Sequence, residues 1–224
     1  QNLKNLKIIK KILKKNPSKK IYFSNWKILF RKKKYFYKDK KNLIPIETNL
    51  INSNALIKNL GLAIKVALDF GVSKKIITKT IPKIQFEGRV QYIKKGKLKN
   101  LLKKKEKLLV DGCHSEESAK NLYNYLKELK EPIYGIWGMK KNKYPEKFLK
   151  HFNKIFKEMI TITIPDEPNA LKSELLAEVA KKLTYKAHTA TSIQNAINKI
   201  SDNKKKIIVI FGSLYLVGNA LSKN

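Results

Sequence analysis

The sequence predicts an α/β protein organised around a mostly parallel sheet, on three observations. From residue 107 onward short strands alternate with amphipathic helices, in the order KLLVDG (107–112), PIYGIWGM (132–139), MITITIP (159–165), YKAHTA (185–190) and KIIVIFGS (206–213). Strands such as KIIVIFGS are apolar at consecutive positions, so both faces must be covered, which is the signature of a parallel sheet between helical layers. Finally, residues 83–92 change in character, which divides the chain into two units at that point. At 224 residues the chain is long enough to bury a real core.

The first unit reads as mixed α/β. Leu3, Leu6, Ile9 and Leu13 recur at helical spacing with lysines between them, which predicts a basic surface helix. Asn16-Pro17-Ser18 breaks it. KIYFSNWKILF (20–30) and KKYFYK (33–38) read as strands, Lys38 to Asn42 as a polar turn, and Ile44-Pro45 as the start of an extended stretch. Residues 53–70 form the longest helical pattern, with Leu56, Leu60, Ala63, Ala67 and Phe70 three and four apart. Ser53 suits its N-cap and Gly71 its C′ position. A short helix follows at 73–81.

In the second unit, the lysine-rich stretch around Gly96 predicts a hairpin leading into the first strand. Helices are then expected at 115–130, from Pro145 (at N1), at 169–183, at 192–201 and near 214–222. No stretch approaches the ~20 apolar residues of a membrane-spanning helix. The single cysteine, Cys113, excludes a disulfide framework and a cysteine zinc site. It reads as a small buried hydrophobe, Trp26 and Trp137 read as core, and His151 and His188 have no ligand-spaced partner.

Charge is the extreme feature: Lys+Arg 50 against Asp+Glu 17, a formal net charge of +33. Nucleic-acid binding is one reading of such a balance. Against it, Arg31 and Arg89 are the only arginines, and phosphate and base readers rely on the guanidinium fork. Lys, Asn and Ile, all abundant here, share A/T-rich codons, and the lysines run through every segment. Codon composition therefore accounts for the charge, and the nucleic-acid-binding module stays as the rival reading.

In open parallel sheets ligands bind beyond the carboxyl ends of the strands. Three polar clusters fall at such ends: Asp111-Gly112-Cys113-His114, Gly138-Met139-Lys140 and Gly212-Ser213. Asp111 and His114 read as exposed functional groups at a strand end. Arg89, an arginine among lysines beside Gly88, reads as a fork for phosphate or carboxylate. A phosphate-cradling G-x-x-x-x-G-K-[ST] loop is absent from the sequence, because Gly96-Lys97 runs on into Leu98.

In their order along the chain, Gly88-Arg89-Val90-Gln91, Asp111-Gly112-Cys113-His114, Gly138-Met139, Glu167-Pro168-Asn169-Ala170-Leu171 and Phe211-Gly212-Ser213-Leu214-Tyr215-Leu216 resemble the folylpolyglutamate synthase/dihydrofolate synthase family of the Mur-ligase superfamily. Ser24-Asn25-Trp26 is similar to that family's Gly-x-Asp-Trp, and Lys58-Asn59-Leu60-Gly61-Leu62-Ala63 to its Asn-containing helix start. Two departures stand out. The usual Asp-x-x-His-Asn-Pro is Asp111-Gly112-Cys113-His114-Ser115-Glu116 here, and the usual Pro-Gly-Arg is Glu87-Gly88-Arg89. Ser115 can still cap the next helix.

The resemblance implies that residues 1–82 are the C-terminal part of a P-loop-type α/β ATPase domain. Residues 83–224 would be the Rossmann-like Mur-ligase C-terminal domain, which takes part in ligating glutamate. It implies an ATP-dependent ligase that joins L-glutamate to dihydropteroate or to a reduced folate such as tetrahydrofolate, through an acyl phosphate. Asn59, Arg89 and Asp111 match the family's ATP contacts, and His114 and Ser213 match residues implicated in glutamate binding or domain closure. Mg2+ is implied as a cofactor, with its ligands and the phosphate loop upstream of Gln1, so this piece alone is expected to be inactive and to contain no catalytic or metal-ligating residue. A monomeric cytoplasmic enzyme without nucleic-acid or membrane partners is expected. The superfamily alternative is a Mur-type ligase that adds an amino acid to a peptidoglycan precursor.

Overall fold

A computed structural model of the chain describes residues 3–16, 25–48, 51 and 53–224. Pro17 and Ser18 of the expected break, residues 20–24 of the expected first strand, and Ser24 of the expected motif lie outside the described residues. Two compact units emerge. One holds the described residues up to Thr48 together with Ile57–Lys83, and the other holds Ile84–Asn224 with the described part of 49–56.

The first unit contains α1 (Leu3–Leu13), an antiparallel meander of β1 (Trp26–Arg31), β2 (Lys34–Asp39) and β3 (Leu43–Ile46), then α2 (Asn54–Asp69) and α3 (Lys74–Thr80). β1 and β2 pair from Trp26↔Asp39 to Arg31↔Lys34. The two residues left in the turn, Lys32 and Lys33, both take positive φ, 49° and 61°. That is the primed hairpin geometry, normally supplied by Asn-Gly. The polar turn at 39–42 is held by Asp39, whose Oδ1 accepts the amides of Lys41 and Asn42. α2 ends as its sequence predicts. Gly71 takes φ +81°, its amide donates to the Leu68 carbonyl, and the Val72 amide donates to Ala67. This is a Schellman closure that only Gly enters without strain. Lys58–Ala63 begins four residues after Asn54, directly past the first turn of α2, and not at a helix start as the resemblance implied.

The second unit is a six-stranded sheet in the order β4-β5-β9-β6-β7-β8. Its strands are β4 (Gln91–Ile93), β5 (Glu106–Asp111), β6 (Ile133–Trp137), β7 (Phe156–Thr161), β8 (Ala187–Thr189) and β9 (Lys206–Phe211). β4 alone is antiparallel, pairing with β5, and every other contact is parallel. Strand periodicity explains the apolar runs. Leu109, Ile207, Val209 and Phe211 face one core with α5 (Glu116–Leu126), α6 (Pro145–Lys150) and α7 (Ser173–Lys182). Leu108, Val110, Ile208 and Ile210 face the other, with α4 (Lys97–Asn100), α8 (Ile193–Ile200) and α9 (Leu214–Ser222). Trp26, Trp137 and Cys113 are buried as expected.

Three expectations shift. The segment around Gly96 is no tight hairpin: β4 and β5 do pair, but α4 fills the connection. Gly96 (φ +97°) packs against Asn224, whose carbonyl accepts the Lys97 amide. The third strand lies at 156–161 rather than 159–165. The helix expected from 169 begins at Ser173, because Glu167 first closes a turn, its carboxylate accepting the Asn169 amide and its carbonyl the Ala170 amide. Among the described residues no helix is long and apolar enough to cross a membrane.

Two glycine substitutions should have opposite signs. A Cβ at Gly61 would meet Trp26 and Ile28 at 2.6 Å, whereas at Gly218, in α9, it would meet nothing within 4 Å. Gly61→Ala should destabilise its unit by about 1–3 kcal/mol, and Gly218→Ala should stabilise by about 0.5–1 kcal/mol. Denaturant unfolding of the two variants checks both.

Candidate ligand site at the carboxyl edge of the sheet

Three adjacent strands of the second unit end level with one another. The register places Asp111 beside Phe211 and Phe211 beside Trp137, so the next residue on each strand is a glycine: Gly112, Gly212 and Gly138. Close packing explains two of them, against backbone at Gly212 and against a leucine side chain at Gly112. A Cβ at Gly212 would lie 2.5 Å from the Gly138 carbonyl oxygen, and one at Gly112 would lie 2.3 Å from Leu214. Gly212 also needs φ +106°. The indole Nε1 of Trp137, buried beside Gly212, has no hydrogen-bond partner among the described residues.

Asp111 corrects an expectation. It is not an exposed strand-end group but 4% accessible. Its Oδ2 accepts the Val90 amide at 2.9 Å and its Oδ1 the Cys113 amide at 2.8 Å. The Gly112 amide meanwhile donates to the Gly88 carbonyl at 2.8 Å. Burial pushes the Asp111 carboxyl above its ordinary range, opposed by these two amides and by the positive charge of Arg89. The carboxylate therefore works as a clamp that fastens the 88–90 loop to the end of β5. Gly88 (φ +65°) and Val90 (φ +46°) give that loop its sharp path, and the Gln91 side chain accepts the Gly88 amide at 2.7 Å. The loop carries Arg89, half-buried, whose guanidinium makes no ion pair among the described residues.

Beside the clamp lies a pocket of about 280 Å3 lined by His114, Lys140, Asn142, Lys143, Gly212, Ser213, Leu214 and Tyr215. His114 Nδ1 sits 2.9 Å from the Gly112 carbonyl. A carbonyl only accepts, so Nδ1 carries the proton, and in the neutral ring Nε2 is the acceptor. Ser213 is the N-cap of α9, with its Oγ accepting the Tyr215 amide at 3.1 Å. Lys140 Nζ is 3.1 Å from Glu167 Oε2 and 4.5 Å above the Tyr215 ring. Two lysines and the start of a nine-residue helix thus face one hollow, a field that favours a carboxylate or phosphate.

Of the five residues singled out in the sequence, four converge here: Arg89, Asp111, His114 and Ser213. Asn59 belongs to the first unit, exposed in the interior of α2. Ser115 does cap α5 as expected, in a reciprocal pair with Ser118. Lys143 was not anticipated, since one lysine among so many carries no signal. The rings of His151 and His188 face Glu116 and Glu158. Among the described residues no group of three or more His, Cys, Asp or Glu could hold a metal ion, so they offer no all-protein cage for the Mg2+ that the resemblance implies.

The chain was compared with known proteins. The family "Dihydrofolate synthetase, C-terminal domain" matches residues 94–223. Dihydrofolate synthase/folylpolyglutamate synthase of Haemophilus influenzae is 25% identical, over 67% of this chain and 38% of that protein. Folylpolyglutamate synthase of Thermotoga maritima superposes with a TM-score of 0.76 at 21% identity, covering 99% of this chain and 52% of that one. The bifunctional synthase of Yersinia pestis, solved with Mn, AMPPNP and L-glutamate bound, has a TM-score of 0.67 at 16% identity, covering 88% and 45%. The chain thus spans about half the length of these relatives or less.

The clamp predicts a local effect. An amide in Asp111→Asn offers one acceptor oxygen where two amides need one each. The Val90 or the Cys113 amide should lose its partner, at about 1–3 kcal/mol, and exchange its hydrogen roughly ten- to a hundred-fold faster. Hydrogen-exchange NMR reads this residue by residue.

Proposed function

The chain belongs to the dihydrofolate synthetase C-terminal-domain family, and on that premise we propose that it serves an ATP-dependent ligase adding L-glutamate to dihydropteroate or a reduced folate. The observation that carries this reading is that Arg89 and the Lys140/Lys143 pocket lie on one sheet edge, both suited to anions. Residues 1–82 would be the end of the ATPase domain and residues 83–224 the glutamate-ligase domain.

In the proposed reaction, a substrate carboxylate is activated as an acyl phosphate at the expense of ATP. The L-glutamate amine attacks the acyl carbon, the amide bond forms and inorganic phosphate leaves. This chain contributes position and charge rather than proton transfer. Arg89, held out by the clamped loop, pairs its fork with ATP phosphate oxygens. Asp111 keeps that loop in place, and its carboxylate would accept a ribose hydroxyl of ATP. Asn59 would bond the adenine edge. Lys143, Lys140 and the amino end of α9 hold a glutamate carboxylate. Ser213 and His114 bound the same pocket, His114 with Nε2. The bound Mn, AMPPNP and L-glutamate of the Yersinia pestis relative support ATP, metal and glutamate as the family's ligands. A monomer in the cytoplasm, with neither nucleic acid nor membrane as partner, completes the reading.

Kinetics in the complete enzyme test it. Arg89→Lys keeps the charge but loses the fork, and should lower kcat/KM for ATP roughly ten- to a hundred-fold. Arg31→Lys, on exposed β1, should leave it unchanged. Lys143→Ala should raise KM for L-glutamate by about ten-fold or more with a smaller change in KM for ATP. Wild-type constants in both Arg89→Lys and Lys143→Ala would overturn the assignment of this edge.

A further inference from the structure

The amino-terminal edge of the same sheet carries a second hollow, of about 440 Å3. It is lined by Tyr92, Ile93 and Lys94 at the end of β4, Lys99 of α4, and Glu106, Lys107 and Leu108 at the start of β5. On β5 the lining residue nearest Asp111 is Leu108, three residues and roughly 10 Å away at the usual rise per residue. The proposed ligase site therefore does not include it.

The segment that builds it, KKGKLKNLLKKKEK (94–107), contains eight lysines and one acid. That acid forms no ion pair with any of them among the described residues. Glu106 is buried, and its carboxylate faces inward to accept the Lys103 amide, the Ser201 hydroxyl and the Asp202 amide, at 2.9, 2.7 and 2.8 Å. The antiparallel pairing of Ile93 with Leu108 closes the ladder, and the next residue outward on each side is a lysine, Lys94 and Lys107. Like charges in facing positions repel. Lys107 leans on Glu131 at 2.9 Å, but the same carboxylate also faces Lys205 at 3.6 Å. Lys94 and Lys99 have no ion pair among the described residues. Tyr125 donates to the Tyr92 hydroxyl at 3.0 Å, which leaves the Tyr92 proton to be given to another acceptor. The hollow is thus rimmed by Lys94, Lys99 and Lys107 and offers the hydroxyl and ring of Tyr92.

We propose that this hollow is a second anion site, for a chain of two or more phosphates, either free or as the tail of a nucleoside di- or triphosphate. Ammonium groups act as point charges, which suit a multiply charged tetrahedral oxyanion better than a planar carboxylate. The volume falls within the range of small-molecule sites. A phosphate chain between Lys94, Lys99 and Lys107 removes the repulsion across the β4–β5 ladder. Its binding should therefore tighten the edge strand without touching the carboxyl edge. The inference stands on its own geometry and survives or fails independently of the ligase assignment.

The test is an NMR titration of the 15N-labelled 224-residue chain, without Mg2+, using inorganic tripolyphosphate and, separately, ADP. Saturable shifts at Tyr92, Ile93, Lys94 and Leu108 are expected. They should weaken by at least about ten-fold in the Lys94→Ala/Lys99→Ala double variant, whose remaining spectrum reports that the fold is intact. The charge-matched control Lys181→Ala/Lys182→Ala, on α7, should bind as wild type. Equal affinity for the two probes assigns the site to the phosphate chain alone, and tighter ADP binding brings in the Tyr92 ring. Shifts spread without saturation over lysines throughout the chain, or unchanged affinity in the double variant, would overturn the proposal. So would a single-stranded oligonucleotide that outcompetes both probes over a wider surface.

Discussion

One buried carboxylate organises the carboxyl edge of the sheet. Asp111 ends a strand in the middle of an apolar layer, and burying it unpaired would cost several kcal/mol. The cost is offset because two backbone amides, from Val90 and Cys113, point at its two oxygens. The 88–90 loop and the turn before His114 depend on this arrangement. Without the Val90 bond the 88–90 loop has only its Gly88–Gly112 and Gln91 contacts, and Arg89 loses its fixed position. Without the Cys113 bond the turn that presents His114 opens. A group that reads from sequence as a ligand contact therefore serves in the structure as a fastener for the loop that carries Arg89.

The pocket beside it shows how placement matters more than number in a chain carrying +33. Most lysines are solvated, and exposed pairs such as Lys150–Glu146 add little stability. Lys140 differs because Glu167 and the Tyr215 ring fix its ammonium at the rim. Ser213 differs from an ordinary surface serine because capping α9 fixes its oxygen. Lys143 is distinguished only by lining the same hollow. Convergence upon one cavity, backed by a helix terminus, separates these groups from the background charge.

Much of the fold was legible in the sequence. Strands buried on both faces must be apolar at every position, so β5, β6 and β9 stand out. Helix ends with a local chemical signature, such as Gly71 after α2, Pro145 at the start of α6 and Ser115 before α5, could be placed closely. What escaped lacked local contrast. The β1–β2 turn puts Lys32 and Lys33 at positive φ with no Gly or Asn to announce it. α7 starts late because Glu167 closes a turn that looks like a helix start. The burial of Asp111 depends on Val90, twenty-one residues away, and no window along the chain contains that bond. Of the candidate site, the glycine-terminated strand ends and Arg89 were readable as residue types against their background. Lys143 was not, because lysine is the commonest background.

The central claim is that the carboxyl edge of this sheet receives the ligands of a glutamate ligase. Hydrogen–deuterium exchange of the complete enzyme, with and without L-glutamate and a non-hydrolysable ATP analogue, tests it most directly. The account predicts ligand-dependent protection at residues 88–91, 111–115, 140–143 and 212–216. Ligand binding that leaves exchange at all four segments unchanged would contradict it.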